Sequence, residues 1–302
     1  MIKKALYIFL FFCLSLSLEA QQETRFTMYM FNLYEVNSAY AGSRETLSLA
    51  AIIRSQWTGL EGAPQMQSLT MNTPLLTKNM GIGLKFNNES AGASSETSFM
   101  GSFAYRFRLL KGKLAFGLSA GLLNNRFNWA KAEFKDPSDQ VQSSGTENTY
   151  SPNFDFSGYY SDNTFYLGFQ IDNLNQSQIN ILADGNSKNY IQYTAIIGKA
   201  FVLSKRVVFK PSALYRSTQA AQQFEVNASF LFNETFWAGV TFRSDTEFSL
   251  ILEYNLNQKF RFGYAFDYAL KPVQSNRSIS NEFFIGYDIQ VRNKNMASPR
   301  YF

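Results

Sequence analysis

From residue 247 to 270, apolar and polar positions alternate with a period of two. Phe248, Leu250, Leu252, Tyr254 and Leu256 share one face against Glu247, Ser249, Glu253 and Asn255, with Ile251 as the one exception. After Asn257-Gln258-Lys259 the pattern resumes, with Phe260, Phe262, Tyr264, Phe266, Tyr268 and Leu270 opposed by Arg261, Gly263, Ala265, Asp267 and Ala269. Extended backbone sends successive side chains to opposite faces. Each run therefore predicts a strand, and the three residues between them a tight hairpin. The same template fits Phe224 to Phe232 and Phe236 to Phe242, and segments near 44–56, 64–74, 80–88, 95–109, 112–126, 152–161, 163–172, 189–203, 205–217 and 280–292, which gives about 14 strands.

The connections alternate in length as well. Leu110-Lys111-Gly112, Ser161-Asp162-Asn163, Ser204, Asn233-Glu234 and Asn257-Gln258-Lys259 are short, whereas 127–151, 173–188 and 271–279 are longer, and only Ser244-Asp245 departs from the rule. Outer-membrane barrels alternate short periplasmic turns with longer outer loops in this way. The expectation is an all-β fold: a transmembrane up-and-down antiparallel β-barrel over residues 44–292, with the N- and C-termini periplasmic.

A soluble β-sandwich or propeller also alternates, so the chemistry of the two faces has to decide. A water-soluble sheet turns polar residues outward and large ones inward. Here one face carries ring after ring, while the other holds glycine, alanine, serine and charges, which suits lipid outside and a wet lumen inside. Composition agrees: 17% of residues are aromatic, with 30 Phe and 17 Tyr, yet mean hydropathy is only −0.20. Alternating strands reconcile these values, because every lipid-facing ring is averaged with a lumen-facing polar group.

Residues 1–20 place Lys3 and Lys4 before the apolar run from Ala5 to Leu18 and then Glu19-Ala20-Gln21, the layout of a signal peptide cut after Ala20. The run is short for a membrane-spanning helix, which needs about 20 apolar residues. Cys13, the one cysteine, lies inside it after Phe11-Phe12, which does not suit lipidation. The remaining chain has neither cysteine nor histidine. That excludes disulfides, thiolate or imidazole metal sites and His-dependent nucleophilic catalysis; no cofactor and no metal are expected. Asp155 and Asp172 have no hydrolase motif around them, so a non-enzymatic role is expected. The net charge of +5 falls to +4 without Lys3, Lys4 and Glu19, too mild and dispersed to indicate nucleic acid.

Charges of both signs fall on the lumen face: Arg54, Lys85, Arg106, Arg108, Lys210, Arg216, Glu225, Arg243, Glu253, Arg261, Asp267 and Glu282. They either solvate the wall or form a network around an internal plug or a bound partner, and Glu253 and Arg261, on adjacent strands, are placed to pair. Residues 21–43 do not alternate and carry the ring- and amide-bearing Tyr29, Met30, Phe31, Asn32, Asn37 and Tyr40. This segment is expected to pack in the periplasm or to plug the barrel mouth. Gln56, Trp57 and Pro64 sit on the first hairpin, expected outside, where Trp57 serves either as an interfacial anchor or as part of a partner surface. Residues 293–302 form a C-terminal tail ending in Phe302, expected on the periplasmic side.

Tyr29-Met30-Phe31-Asn32-Leu33-Tyr34-Glu35-Val36-Asn37-Ser38-Ala39-Tyr40-Ala41-Gly42-Ser43 resembles the N-terminal signature of the PorP/SprF family of type IX secretion and gliding-motility proteins. The likeness continues through Arg54-Ser55-Gln56-Trp57-Thr58-Gly59, Gly62-Ala63-Pro64, Gln67 and Thr73-Pro74-Leu75 to the ending Ser298-Pro299-Arg300-Tyr301-Phe302. Leu33 and Ser38 stand where the family commonly has proline. The resemblance implies an outer-membrane component that assists secretion or surface anchoring of a type IX cargo, such as a large adhesin, by binding the cargo's C-terminal domain. Other type IX outer-membrane or periplasmic components, the bilayer and lipopolysaccharide are the further partners it implies. From a different class, a barrel of this size with an open lumen would be a passive or fatty-acid-type uptake channel.

Overall fold

The computed structural model describes residues 25–75, 79–131, 145–179, 187–219, 221–244, 247–257, 259–270 and 279–289. The expected signal peptide, residues 21–24 and the tail 293–302 lie outside these.

The described strands are β1 (Leu47–Ser55), β2 (Gln65–Pro74), β3 (Met80–Ala91), β4 (Ser94–Leu109), β5 (Gly112–Asn128), β6 (Thr146–Ser161), β7 (Phe165–Asp172), β8 (Gln178–Ile179), β9 (Ser187–Lys188), β10 (Gln192–Lys199), β11 (Phe201–Ser204), β12 (Val207–Ser217), β13 (Gln222–Phe232), β14 (Phe236–Arg243), β15 (Glu247–Leu256), β16 (Phe260–Ala269) and β17 (Ile279–Ile289). β10 and β11 are one barrel strand broken at Ala200, both pairing with β12, and β8–β9 is a separate two-stranded ladder. β7 pairs with β10 past that ladder, and from β1 to β7 and β12 to β17 each strand pairs antiparallel with the next. β1 pairs with β17 from Leu47↔Ile289 to Ser55↔Asn281, so the sheet closes into a barrel of 14 strands. The β1–β17 seam joins the two ends of the strand order, as a bilayer demands of a spanning sheet.

The alternation is carried out as the sequence predicts. Phe99, Leu118, Phe248, Phe283 and Ile285 face outward at 46–62% exposure, while Glu225, Asn227, Ser229, Thr241, Asp267 and Glu282 on the opposite face are fully buried. Rings in that position would be costly in water, at about 25 cal/mol per Å² of apolar surface; in hydrocarbon they are at home. Among the described residues no helix is long and apolar enough to cross a membrane; the closed sheet with its lipid-suited outer face is an integral β-barrel of the outer membrane.

Two-residue turns at the short end use left-handed backbone where hairpin twist requires it. Asn233 and Glu234 have φ of 50° and 57°, the pairing of positive values that a tight primed hairpin turn needs. One side of the barrel is taller than predicted. β4, β5 and β6 run 16, 17 and 16 residues, beyond the 9–11 that a tilted strand needs to cross a bilayer. The expected outer loop 127–151 is therefore shorter, because β5 reaches Asn128 and β6 begins at Thr146.

Candidate functional site

The lumen is filled by the chain's own N-terminal segment. Residues 25–46 contain three short 3-10 turns, Thr27–Phe31, Leu33–Glu35 and Ser38–Tyr40, and nearly all of them are buried. A segment without period-two alternation cannot join the sheet, so its backbone polar groups must find partners on the lumen wall. Those partners trace its path.

The path starts at the loop end. Arg25 Nη2 donates to Gln192 Oε1 (2.5 Å), at the start of β10. The backbone N–H groups of Thr27 and Met28 both donate to the Glu282 carboxylate at 2.7 Å, and the Thr27 hydroxyl donates to Asp267 (2.9 Å) while accepting from Arg54 (3.0 Å). Arg54 also makes a bidentate contact with Glu247 (3.0 and 2.9 Å) and pairs with Asp267 and Glu282. Arg243 bridges Glu225 (2.9 Å) and Glu247 (2.5 Å). Four carboxylates and two guanidiniums are thus buried around Thr27. Burying an ion costs several kcal/mol unless partners are supplied; most atoms of the cluster have them, while Arg54 Nε, Glu225 Oε1 and Asp267 Oδ1 are buried without one.

Deeper in the lumen the grip changes. Arg261 donates to the Phe31 carbonyl (2.7 Å) and lies 3.4 Å from Asp288. Lys210 donates to the Met30 carbonyl (3.5 Å) and its ammonium sits 4.7 Å from the Trp237 ring, which meets Phe31 edge-on at 5.9 Å. Asn32 donates to Thr70 (2.8 Å). The Glu35 carboxylate accepts from Ser68 (2.6 Å) and Asn87 (2.9 Å). Asn37 accepts from the Ala39 N–H and donates to the carbonyls of Gly158 and Phe169, and Tyr40 meets Tyr159 edge-on at 5.3 Å. At the turn end, Arg106 donates to the carbonyls of Ala41 and Gly42, and the Gly42 N–H donates to Asn72 (3.0 Å). Burial raises the Tyr29 hydroxyl well above its ordinary value, with Glu225 adding to the effect, so the phenol stays neutral.

Of the predicted lumen charges, Arg54, Arg106, Arg243, Arg261, Asp267 and Glu225 belong to this network, and so do Lys85, Lys210 and Glu282. Arg216 lines a cavity beside the segment. Arg108 shares the inward parity but is exposed at the turn end of β4. The expected Glu253–Arg261 pair gives way to Arg261 on Phe31 and Asp288, because the register puts Arg261 opposite Asn255 and Glu253 opposite Gly263. Gln56, Trp57 and Pro64 lie apart at the loop-end β1–β2 hairpin, where Gln56 N–H donates to the Pro64 carbonyl (2.9 Å) and Trp57 N–H to Ser280 Oγ (3.1 Å). Sequence reasoning missed Thr27, Glu35, Asn72, Glu247 and Asp288. The available signal was apolar residues on the polar face: Ile52, Ile196, Leu214, Ile251 and Phe284 point inward with at most 1% exposure. A water-filled lumen would have no use for them.

Among solved structures, the chain is similar to the Acinetobacter baumannii outer membrane protein Omp33 (6% identity, 82% of this chain and 100% of that one, TM-score 0.49). It is likewise similar to the CymD monoaromatic hydrocarbon channel (9%, 81% and 88%, 0.48) and a Pseudomonas aeruginosa FadL homologue (10%, 82% and 89%, 0.45). Likenesses this distant carry no functional argument. No curated protein matches the chain. The N-terminal signature that fills the lumen has its counterpart in a family description: over residues 18–287 the chain matches the type IX secretion system membrane protein PorP/SprF, and it belongs to that family.

Proposed function

We propose that the protein is a non-enzymatic outer-membrane partner of a type IX cargo, such as a large adhesin, and that it assists the cargo's secretion or surface anchoring by binding its C-terminal domain. The observation that carries this reading is the occupied lumen. A segment bonded to the wall from Gln192 at one end to Arg106 at the other fills the lumen along its length. What it leaves for a partner is the loop end, where the tall β4–β6 wall, Trp57 and Pro64 form a rim. In a gliding cell the cargo would be a motility adhesin, and other type IX components would meet the barrel from the periplasm.

Deletion of the gene tests this directly. The cognate cargo is expected to disappear from the cell surface, as read by antibody labelling of intact cells, and normal display would sink the reading. The uptake-channel alternative is tested by conductance in planar bilayers, where the plugged barrel is expected to be silent.

A further inference from the structure

At the loop end, between the plug and the wall, lies a cavity of about 200 Å³. Five carboxylates line it, Glu35, Glu89, Glu96, Asp155 and Asp172, against three cations. Two of those cations are engaged: Lys85 donates to the Glu35 carbonyl (3.1 Å) and Arg25 to Gln192 (2.5 Å). Glu89 stands directly opposite Glu96 across the β3–β4 ladder, a like-charge pairing that destabilises the sheet.

Two amides sharpen the picture. Asn87 Nδ2 donates to the Glu35 carboxylate (2.9 Å) and Asn153 Nδ2 to Asp155 (3.0 Å). In both contacts the amide nitrogen donates and the carboxylate oxygen accepts. The two amide oxygens have no donor: Asn87 Oδ1 and Asn153 Oδ1 are buried without a partner, and Asn153 as a residue is only 5% exposed. Unmet buried acceptors cost about 1–3 kcal/mol each, and a donor is what they lack. On the far side Arg216, 8% exposed, has Nε and Nη1 buried without acceptors. Water, at about 30 Å³ a molecule, fills such a space by default but brings no charge.

We propose that this cavity receives the basic side chain of a peptide, a lysine ammonium or an arginine guanidinium, entering from the loop end. The cation lies among Glu89, Glu96, Asp155 and the two asparagine oxygens, and a carbonyl of the same peptide accepts from Arg216. A free alkylamine shares the first half of this chemistry but not the second. The inference rests on the reading that a secreted protein docks at this rim, and it deepens that reading by naming the chemistry of one contact.

The test uses the purified full-length barrel in detergent, a fluorescent lysine-containing hexapeptide, the same peptide with glutamate for lysine, and spermidine, read by anisotropy and by competition. The lysine peptide is expected to bind, more weakly as salt rises, and the glutamate peptide not to bind. The double variant E89Q/E96Q is expected to weaken lysine-peptide binding at least tenfold with unchanged heat-modifiable gel mobility, the sign of an intact barrel. R216M is expected to weaken the peptide but not spermidine. Absence of lysine-peptide binding, equal binding of the glutamate peptide, or indifference to E89Q/E96Q would each overturn the proposal, and spermidine binding alone would transfer the cavity to free amines. If cargo display still depends on the gene while the peptide fails to bind, only this inference falls.

Discussion

The two ends of the lumen segment are held by different physics. At the loop end, Thr27 and Met28 hang on side-chain charges, with Glu282 taking both N–H groups and Arg54 and Arg243 tying four carboxylates together. At the turn end the hold is steric and main-chain. Gly42 has φ of 72°, a Cβ there would come within 2.8 Å of Pro74 N, and Arg106 grips the Ala41 and Gly42 carbonyls. A charge cluster can exchange one partner for another, whereas a backbone wedged against a glycine has no substitute. The loop end is thus the end that can let go, and the turn end is the anchor.

The largest expected effect comes from Arg54→Ala. It leaves four buried carboxylates to Arg243 alone, a loss of about 3–5 kcal/mol. Flickering conductance in planar bilayers is expected from an otherwise intact barrel, and a variant as silent as the parent would break the contrast. Next comes Gly42→Val, where positive φ and overpacking together cost about 2–4 kcal/mol. Here the expected result is loss of the folded band and a lower Tm rather than opening; conductance with an unchanged Tm would mean that the anchor had been misplaced. Arg106→Met leaves the two carbonyls without their charged donor, about 1.5–3 kcal/mol, and is expected to lower Tm without gating. Arg108→Ala, four residues from the β4–β5 turn's glycine and exposed, is expected to change stability by less than about 0.5 kcal/mol. A larger shift would show the turn-end rim to be part of the anchor.

Period two made the wall legible: strands, closure and the two faces follow from side chains that alternate. Strand ends were less visible, since the added height of β5 and β6 comes from residues such as Asn128, Thr146, Asn148 and Thr149, polar residues that pair across the ladder without announcing a face. The lumen segment was recognisable as non-strand, but its course was not. Arg261 could be read from sequence only against strand neighbours such as Glu253, and its actual acceptor, the Phe31 carbonyl, lies 230 residues away. Backbone acceptors carry no letter in a sequence. Ile251, the one break in the clearest run, was the visible trace of that packing.

Pairing of β1 with β17 also governs the order in which the molecule can be finished. Glu282 lies on β17, 255 residues from Thr27 and 228 from Arg54. Contacts of such separation cost a large loop-closure entropy before they stabilise anything. Until the last strand arrives, Thr27 and Met28 have no acceptor on it and Arg54 lacks one of its carboxylates. Completing the cylinder therefore also completes the charge cluster around Thr27, so an assembly intermediate that lacks the final strand lacks both the seam and the acceptors of the segment's loop end.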